Sequence, residues 1–172
     1  DAMWTEVSVA TNTYTITGLE EDTAYNFQVA AVCTGTVGTY SAVTNFSTLM
    51  MTYCSLTADD SSDEYISNVT ITAQRAAGVN STSGASTYTD YTTDAARLVH
   101  LQQGTNNNVI SVTKAWTGAA YNDAVTVWID FDRSGTYESD EIIMSTVPDI
   151  QNPVTSTFVV PADAYIGDKT VG

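Results

Sequence analysis

Hydrophobic residues recur at every second position over much of this chain, and this pattern constrains its fold most. In residues 124–131, for example, the spacing selects Val125, Val127, Ile129 and Phe131. Successive side chains of a strand point to opposite faces, so this periodicity predicts strands rather than helices. The many Thr, Ser and Asn residues agree, because these residues favour strands and turns over helices. The sequence therefore predicts an all-β protein.

The charge balance excludes several classes of partner. The 172 residues include 20 acidic and 5 basic side chains, for a net charge of −15, and 43% are hydrophobic, enough to bury a core. Such a surface repels nucleic acid and anionic membranes but suits divalent cations. No segment has the apolar length of a membrane helix. We expect an extracellular or cell-surface protein with no nucleic-acid partner and no membrane insertion. Because the chain opens on Asp1 without an initiator Met, we expect a trimmed part of a longer protein.

Catalytic residues are poorly represented. His100 is the one histidine, and it lies between Val99 and Leu101, where a structural role is usual. Neighbouring carboxylates such as Asp59 and Asp60 are more typical of surface charge than of an acid–base pair, which needs two carboxyls facing each other across a cleft. We expect no catalysis within these residues, so an active site of the parent protein would lie elsewhere.

Residues 130–141 carry the most specific motif. They read D-x-D-x-S-G-x5-E, which is the ligand spacing of a twelve-residue calcium loop. Ca²⁺ takes about six to eight oxygen ligands, so a short loop folds around it with alternate residues pointing inward and a glycine at the sharp turn. The predicted ligands are Asp130, Asp132, Ser134, Thr136 through its backbone carbonyl, Glu138 and Glu141.

The flanks of this motif predict strands, not the two helices of an EF-hand. The bound Ca²⁺ would then clamp a hairpin, without the helix opening of a sensor EF-hand. A plain hairpin is the alternative, since Asp132-Arg-Ser-Gly135 suits a type I turn with solvated carboxylates. The complete spacing, with glycine and glutamate in register, exceeds what a turn requires and favours calcium.

Residues 1–48 resemble part of a known family. Period-two spacing predicts strands over 4–9, 13–19, 24–33 and 42–48. The segment YTITGLEEDTAYNFQVAAVC resembles the last half of a fibronectin type III domain, and the Leu19 to Tyr25 spacing is similar to that family's tyrosine corner. The resemblance covers 4–48 and implies a partial sandwich that lacks its first three strands. Its core would be exposed unless strands elsewhere or a partner cover it.

Residues 49–53 are predicted to be a linker, and 54–172 a second β domain. This region resembles the GEVED domain of secreted bacterial proteins, and the matching pieces are Tyr53-Cys54, EYISNV, NSTSG at 80–84, Tyr88-Thr-Asp90-Tyr91, VWIDFDRSGTYESDE and FVVP with Gly167. The resemblance implies a jelly-roll-like β-sandwich that ends before the family's C-terminal motif. It also implies a non-catalytic accessory or adhesion module of a secreted multidomain protein, often exported by the type IX route, with neighbouring domains of the polypeptide as partners.

The two cysteines are predicted to pair outside these residues. Cys33 ends one predicted strand, and the next strand runs back from it, so Cys54 is expected at the opposite end, beyond the roughly 7 Å between Cα atoms that a disulfide allows. We expect Cys33 to pair with the missing N-terminal strands and Cys54 with the missing C-terminal segment, as the GEVED resemblance also suggests for Cys54. The alternative is two buried free thiols.

Two other functions remain open. Carbohydrate binding would need an exposed aromatic ring, and Trp116, followed by Thr117-Gly118, is the candidate at a loop edge, with a glycan or a cell-surface protein as partner. Trp128 is expected to pack locally, and Trp4 belongs to the fibronectin-like half. A structural subunit of an extracellular fibre or export complex is the other possibility, because unpaired sheet edges recruit further strands.

Overall fold

The computed structural model describes residues 4–167 and confirms the predicted all-β class. Apart from two three-residue 3₁₀ turns, Ala95–Arg97 and Ser139–Glu141, its regular elements are β-strands. The chain divides into two compact units, Asp1–Thr52 and Tyr53–Gly172, and the division falls inside the predicted linker. Among the described residues, no helix has the length and apolar character needed to cross a membrane.

Among its described residues, the first unit contains four short strands. They are β1 (Ala24–Phe27), β2 (Val32–Cys33), β3 (Thr36–Val37) and β4 (Thr44–Ser47). Strand β1 pairs antiparallel with β4, which sets Tyr25 opposite Phe46 with their ring centroids 5.7 Å apart. Strands β2 and β3 form a separate antiparallel hairpin.

Two of the predicted strands in this unit are absent. Residues 4–9 and 13–19 are not strands, and the predicted strand over 24–33 is broken into β1 and β2. A strand needs a neighbour for its backbone hydrogen bonds, and within the described residues neither segment belongs to a paired sheet. The alternation of apolar residues in these segments therefore suits a strand, but it does not reveal whether a neighbouring strand is available to pair with.

The tyrosine corner predicted at Tyr25 is confirmed. The backbone N–H of Glu20 donates to the Tyr25 hydroxyl at 2.7 Å. Close by, the Thr23 N–H donates to the Thr48 hydroxyl at 3.0 Å, and that hydroxyl donates to the Glu20 carbonyl at 2.6 Å. These bonds fix the turn that leads into β1.

The first unit has an exposed apolar face, as expected for part of a sandwich. Between residues 4 and 52, no residue is buried. At least two-fifths of the surface is accessible on many large apolar residues, among them Trp4, Val7, Val9, Tyr14, Ile16, Phe27, Val29, Val32, Val37, Tyr40 and Val43. Little of this unit's stability can therefore come from apolar burial within it.

The part of the second unit that the structure describes, residues 53–167, contains six strands in two antiparallel sheets. They are β5 (Glu64–Thr72), β6 (Val79–Thr82), β7 (Asn108–Trp116), β8 (Thr126–Trp128), β9 (Ile142–Ser145) and β10 (Val154–Phe158). One sheet has the order β10-β7-β5-β6, and β8 pairs with β9 in the other. The strand predicted over 124–131 thus shortens to β8.

The core of the second unit lies between these two sheets. Along the central strand β7, Asn108, Ile110, Val112 and Lys114 are buried and alternate with half-buried residues. Apolar side chains from both sheets form one cluster of Ile71, Ile110, Val112, Val125, Ile143, Met144, Val154, Phe158, Val160 and Ala164. This is the two-layer packing of a β-sandwich.

Lys114 is an exception within this alternation, because it places a charge among apolar side chains. Only 4% of it is exposed. Its ammonium donates to the backbone carbonyls of Asp123 at 3.2 Å and Asp149 at 2.6 Å, and lies 3.7 Å from the Asp149 carboxylate. Asp123 and Asp149 also form an isolated backbone bridge. Lys114 therefore connects the segment before β8, at Asp123, with the segment after β9, at Asp149.

Replacing Lys114 with Met should destabilise the second unit by about 2–4 kcal/mol, because two carbonyls lose a charged donor in a place that water reaches poorly. Urea unfolding followed by the fluorescence of Trp116 and Trp128 measures this. Thr155→Val, at an exposed position of β10, is the control and should change the free energy of unfolding by less than about 0.5 kcal/mol. Equal effects of the two changes would contradict this role of Lys114.

Candidate metal centre

The loop of residues 130–141 connects β8 to β9, as the strand flanks predicted. The two strands pair antiparallel, with Val127 opposite Met144 and Trp128 opposite Ile142. The backbone N–H of Ile129 donates to the carbonyl of Glu141 at 3.1 Å and closes the loop at its base. Val125 and Met144 belong to the core, so the loop stands on a rigid hairpin.

Asp130 begins the loop and is 2% exposed. Its Oδ1 accepts from the Ser134 N–H at 3.0 Å. Its Oδ2 accepts from the Gly135 N–H at 2.9 Å and from the Tyr53 hydroxyl at 2.9 Å. The Ser134 N–H also reaches Asp132 Oδ1 at 2.9 Å. The backbone is thus wrapped around the first carboxylate of the motif.

Glu141 ends the loop and is also buried. Its Oε1 accepts from the Phe131 N–H at 2.6 Å, and its Oε2 accepts from the Glu138 N–H at 3.2 Å. The 3₁₀ turn Ser139–Glu141 directs the side chain back into the loop. Burial, the largest cause, raises the pKa of the Glu141 carboxyl. A nearby cation would oppose that shift, since positive charge favours the ionised carboxylate.

Three of the predicted ligands converge. Asp130, Asp132 and Glu141 each offer one oxygen, and these oxygens lie within 4.8 Å of one another. All are hard oxygen donors, and two of the three residues are buried, so the set fits the chemistry of Ca²⁺.

The other three predicted ligands form a neighbouring group. The Ser134 hydroxyl lies 2.9 Å from the Thr136 hydroxyl, 3.5 Å from the Thr136 carbonyl and 3.4 Å from each oxygen of Glu138. A hydrogen bond from the Thr136 hydroxyl, the largest cause, lowers the pKa of Glu138. Glu138 is exposed and does not join the convergent carboxylates. Its loop position commonly acts through water in calcium loops.

The alternative of a type I turn at 132–135 is wrong. A type I turn needs a φ of about −60° at its second residue, but Arg133 has a φ of 59°. Gly135 follows with a φ of 83°. The left-handed Arg133 bends the backbone so that the next two N–H groups face Asp130, and the left-handed Gly135 turns the chain that follows them.

Sequence reasoning missed an aromatic group beside the loop. The Tyr53 ring stacks on Tyr137 with centroids 5.2 Å apart, and Tyr137 lies 6.3 Å from Trp128. Burial raises the pKa of Tyr53, and the Asp130 carboxylate raises it further, so the hydroxyl stays a donor. Tyr53 is 77 residues from Asp130 in sequence. Its presence in the GEVED-like piece Tyr53-Cys54 was the one available signal.

A shallow pocket beside the loop adds a further carboxylate. Its acidic lining residues are Asp132, Glu138, Asp140, Glu141 and Asp163, with Phe131, Pro161 and Ala164 as the rest of the lining. Asp163 lies in the segment after β10, which the Tyr165 N–H holds against the loop by donating to the Phe131 carbonyl at 2.6 Å.

The remaining residues singled out in the sequence are Trp116, Cys33 and Cys54. Trp116 is the last residue of β7; it is half-buried and its indole N–H donates to the Asp123 carboxylate at 2.8 Å. Cys33 and Cys54 are free and exposed, so the alternative of buried thiols is wrong. Their pairing with residues elsewhere stays a prediction.

Comparison with protein families supports the predicted order. The fibronectin type III domain model matches residues 3–47, and the GEVED domain model matches residues 124–171. The chain is therefore similar to a fibronectin type III domain followed by a GEVED domain. The GEVED match includes the whole loop, while the resemblance over 53–123 stays a prediction. No curated protein and no solved structure matches the chain significantly.

Substituting Gly135 with Ala should destabilise the second unit by about 1–2 kcal/mol, because a Cβ is strained at positive φ. Gly84→Ala is the matched control, since Gly84 lacks a left-handed φ and has open space around its Cβ position. Urea unfolding of both variants gives the difference. If the two variants unfold at the same urea concentration, the left-handed geometry of the loop is refuted.

Proposed function

We propose that this chain is a non-catalytic, calcium-stabilised accessory or adhesion module of a secreted or cell-surface multidomain protein. The observation that carries the metal assignment is the convergence of Asp130, Asp132 and Glu141 oxygens within 4.8 Å. Three carboxylates this close repel one another by on the order of 3 kcal/mol per pair at an effective dielectric constant near 20. Each backbone hydrogen bond to them offsets only about 1.5–3 kcal/mol. A divalent cation bound among the three carboxylates would attract each of them, so the electrostatic energy of the group would become favourable.

The expected contribution of calcium is local. Extracellular calcium modules bind with dissociation constants of about 10⁻⁴–10⁻³ M. At a free concentration ten times the dissociation constant, binding adds about 1.4 kcal/mol to the folded state. That is enough to order the loop, but the core between the two sheets holds the fold without it. We therefore assign the ion a structural role.

The module assignment is supported by the two family matches. Fibronectin type III and GEVED domains are non-catalytic modules, and fibronectin type III domains are common in extracellular proteins. The net charge of −15 suits an extracellular surface. Neighbouring domains of the same polypeptide are the proposed partners, type IX export the proposed route, and any active site is assigned to those neighbours.

Adding Ca²⁺ to the metal-free chain should raise the melting temperature of the second unit by about 4–6 °C, from the 1.4 kcal/mol above. Asp130→Asn should abolish the shift, since it removes a buried charged ligand. Asp59→Asn, an exposed carboxylate distant in sequence from the motif, should leave it intact. Differential scanning calorimetry with Ca²⁺ or with EGTA measures both.

Terbium offers an independent readout of the same site. Tyr53, Tyr137 and Trp128 lie beside the loop, so excitation of these rings should sensitise luminescence of Tb³⁺ bound there. Excess Ca²⁺ should displace it. The absence of both a calcium-dependent melting shift and displaceable Tb³⁺ luminescence in the unsubstituted chain would overturn the calcium proposal.

Carbohydrate binding is a second candidate function, and the adjacent rings of Trp128 and Tyr137 suit it better than Trp116 does. The Trp116 ring is half-buried and its N–H is engaged, whereas Trp128 and Tyr137 are 39% and 36% exposed and adjacent. Sugar rings stack on such exposed aromatic faces. Trp128→Ala should abolish binding on a glycan array, and Trp116→Phe should preserve it. No signal from the unsubstituted chain on a broad array would reject this candidate.

A further inference from the structure

The connection between the two units is tied down on both sides. In the first unit, the Met51 N–H donates to the Glu21 carboxylate at 2.9 Å. In the second unit, the Tyr53 hydroxyl donates to the Asp130 carboxylate at 2.9 Å. Each bond is internal to its own unit. One residue, Thr52, therefore lies between two anchored positions.

The second of these anchors is built on the candidate metal loop. Tyr53 contacts the loop at two places, through its hydroxyl at Asp130 and through its ring at Tyr137, with centroids 5.2 Å apart. Asp130 is itself one of the three convergent carboxylates. A hydrogen bond to an ionised acceptor is about twice as strong as one between neutral groups. The position of Tyr53 consequently depends on the loop keeping its wrapped form.

We propose that Tyr53 acts as a latch through which calcium binding at the loop restrains the connection between the two units. This inference rests on the proposed calcium function. With the cation bound, the Asp130 carboxylate stays turned into the loop and offers Tyr53 a fixed acceptor. Without it, repulsion among Asp130, Asp132 and Glu141 opens the loop, and Tyr53 loses the acceptor and the stacking surface of Tyr137 together.

The coupling must work in both directions. If calcium strengthens the anchoring of Tyr53, then anchoring of Tyr53 strengthens calcium binding by the same factor. A pull on the connection that draws Tyr53 off the loop would therefore weaken calcium binding.

Hydrogen exchange followed by mass spectrometry tests the latch on the full 172-residue chain. Each variant is compared at its own saturating calcium concentration and in EGTA, for peptides spanning 51–56 and 130–141. In the unsubstituted chain, calcium should slow exchange about tenfold in both segments, as expected when a charged hydrogen bond ties a segment down. Tyr53→Phe removes the hydroxyl alone and should cut the effect at 51–56 to about threefold. Tyr53→Ala removes the stacking as well and should abolish it there.

Comparing residues 51–56 with residues 130–141 shows whether the calcium site or only the latch is rejected. Loss of the calcium effect at both 51–56 and 130–141 in the unsubstituted chain would reject the calcium site itself. A calcium effect at 130–141 with none at 51–56, or one at 51–56 that survives Tyr53→Ala, would reject the latch and leave the site standing. Tyr121→Phe, at a tyrosine of the same unit that is 52% exposed, should behave as the unsubstituted chain in both segments.

Discussion

The carboxylate of Asp130 is the group on which the arrangement of the loop depends. An ionised carboxylate that is 2% exposed is costly unless donors surround it. Asp130 receives three: two backbone N–H groups from its own loop and the hydroxyl of Tyr53. The left-handed φ of Arg133, 59°, lies between Asp130 and both of these N–H groups and bends the backbone back toward the carboxylate. Burial of one charge thus sets the loop backbone and the start of the second unit together.

The two units differ in how much apolar surface supports them. In the second unit, strand β7 alternates buried and half-buried residues, and the hairpin that carries the loop contributes Val125, Ile143 and Met144 to the core. The carboxylates of the loop are therefore carried by a hairpin that is packed into the core. In the first unit, residues 4–52 include no buried residue. Apolar burial therefore contributes far more to the stability of the second unit than to that of the first.

Local patterns were readable from the sequence, and contacts between distant segments were not. The hairpin and the convergence of Asp130, Asp132 and Glu141 follow from spacing within a few residues, so both could be predicted. The strands expected over 4–9 and 13–19 were wrong because pairing depends on a neighbour that periodicity does not reveal. Lys114 and Tyr53 were missed for the same reason. Their partners, Asp149 and Asp130, lie 35 and 77 residues away.

The hydrogen bonds of the loop also indicate how each carboxylate can bind an ion. A carboxylate oxygen has about two lone pairs. Among the described contacts, Asp130 Oδ2 accepts two hydrogen bonds and Oδ1 accepts one, so Oδ1 is the oxygen with capacity for a cation. Each oxygen of Glu141 accepts one backbone N–H. If the proposed Ca²⁺ binds here, Asp130 Oδ1 and the carboxylate of Glu141 would supply its ligands from the first and twelfth positions of the loop.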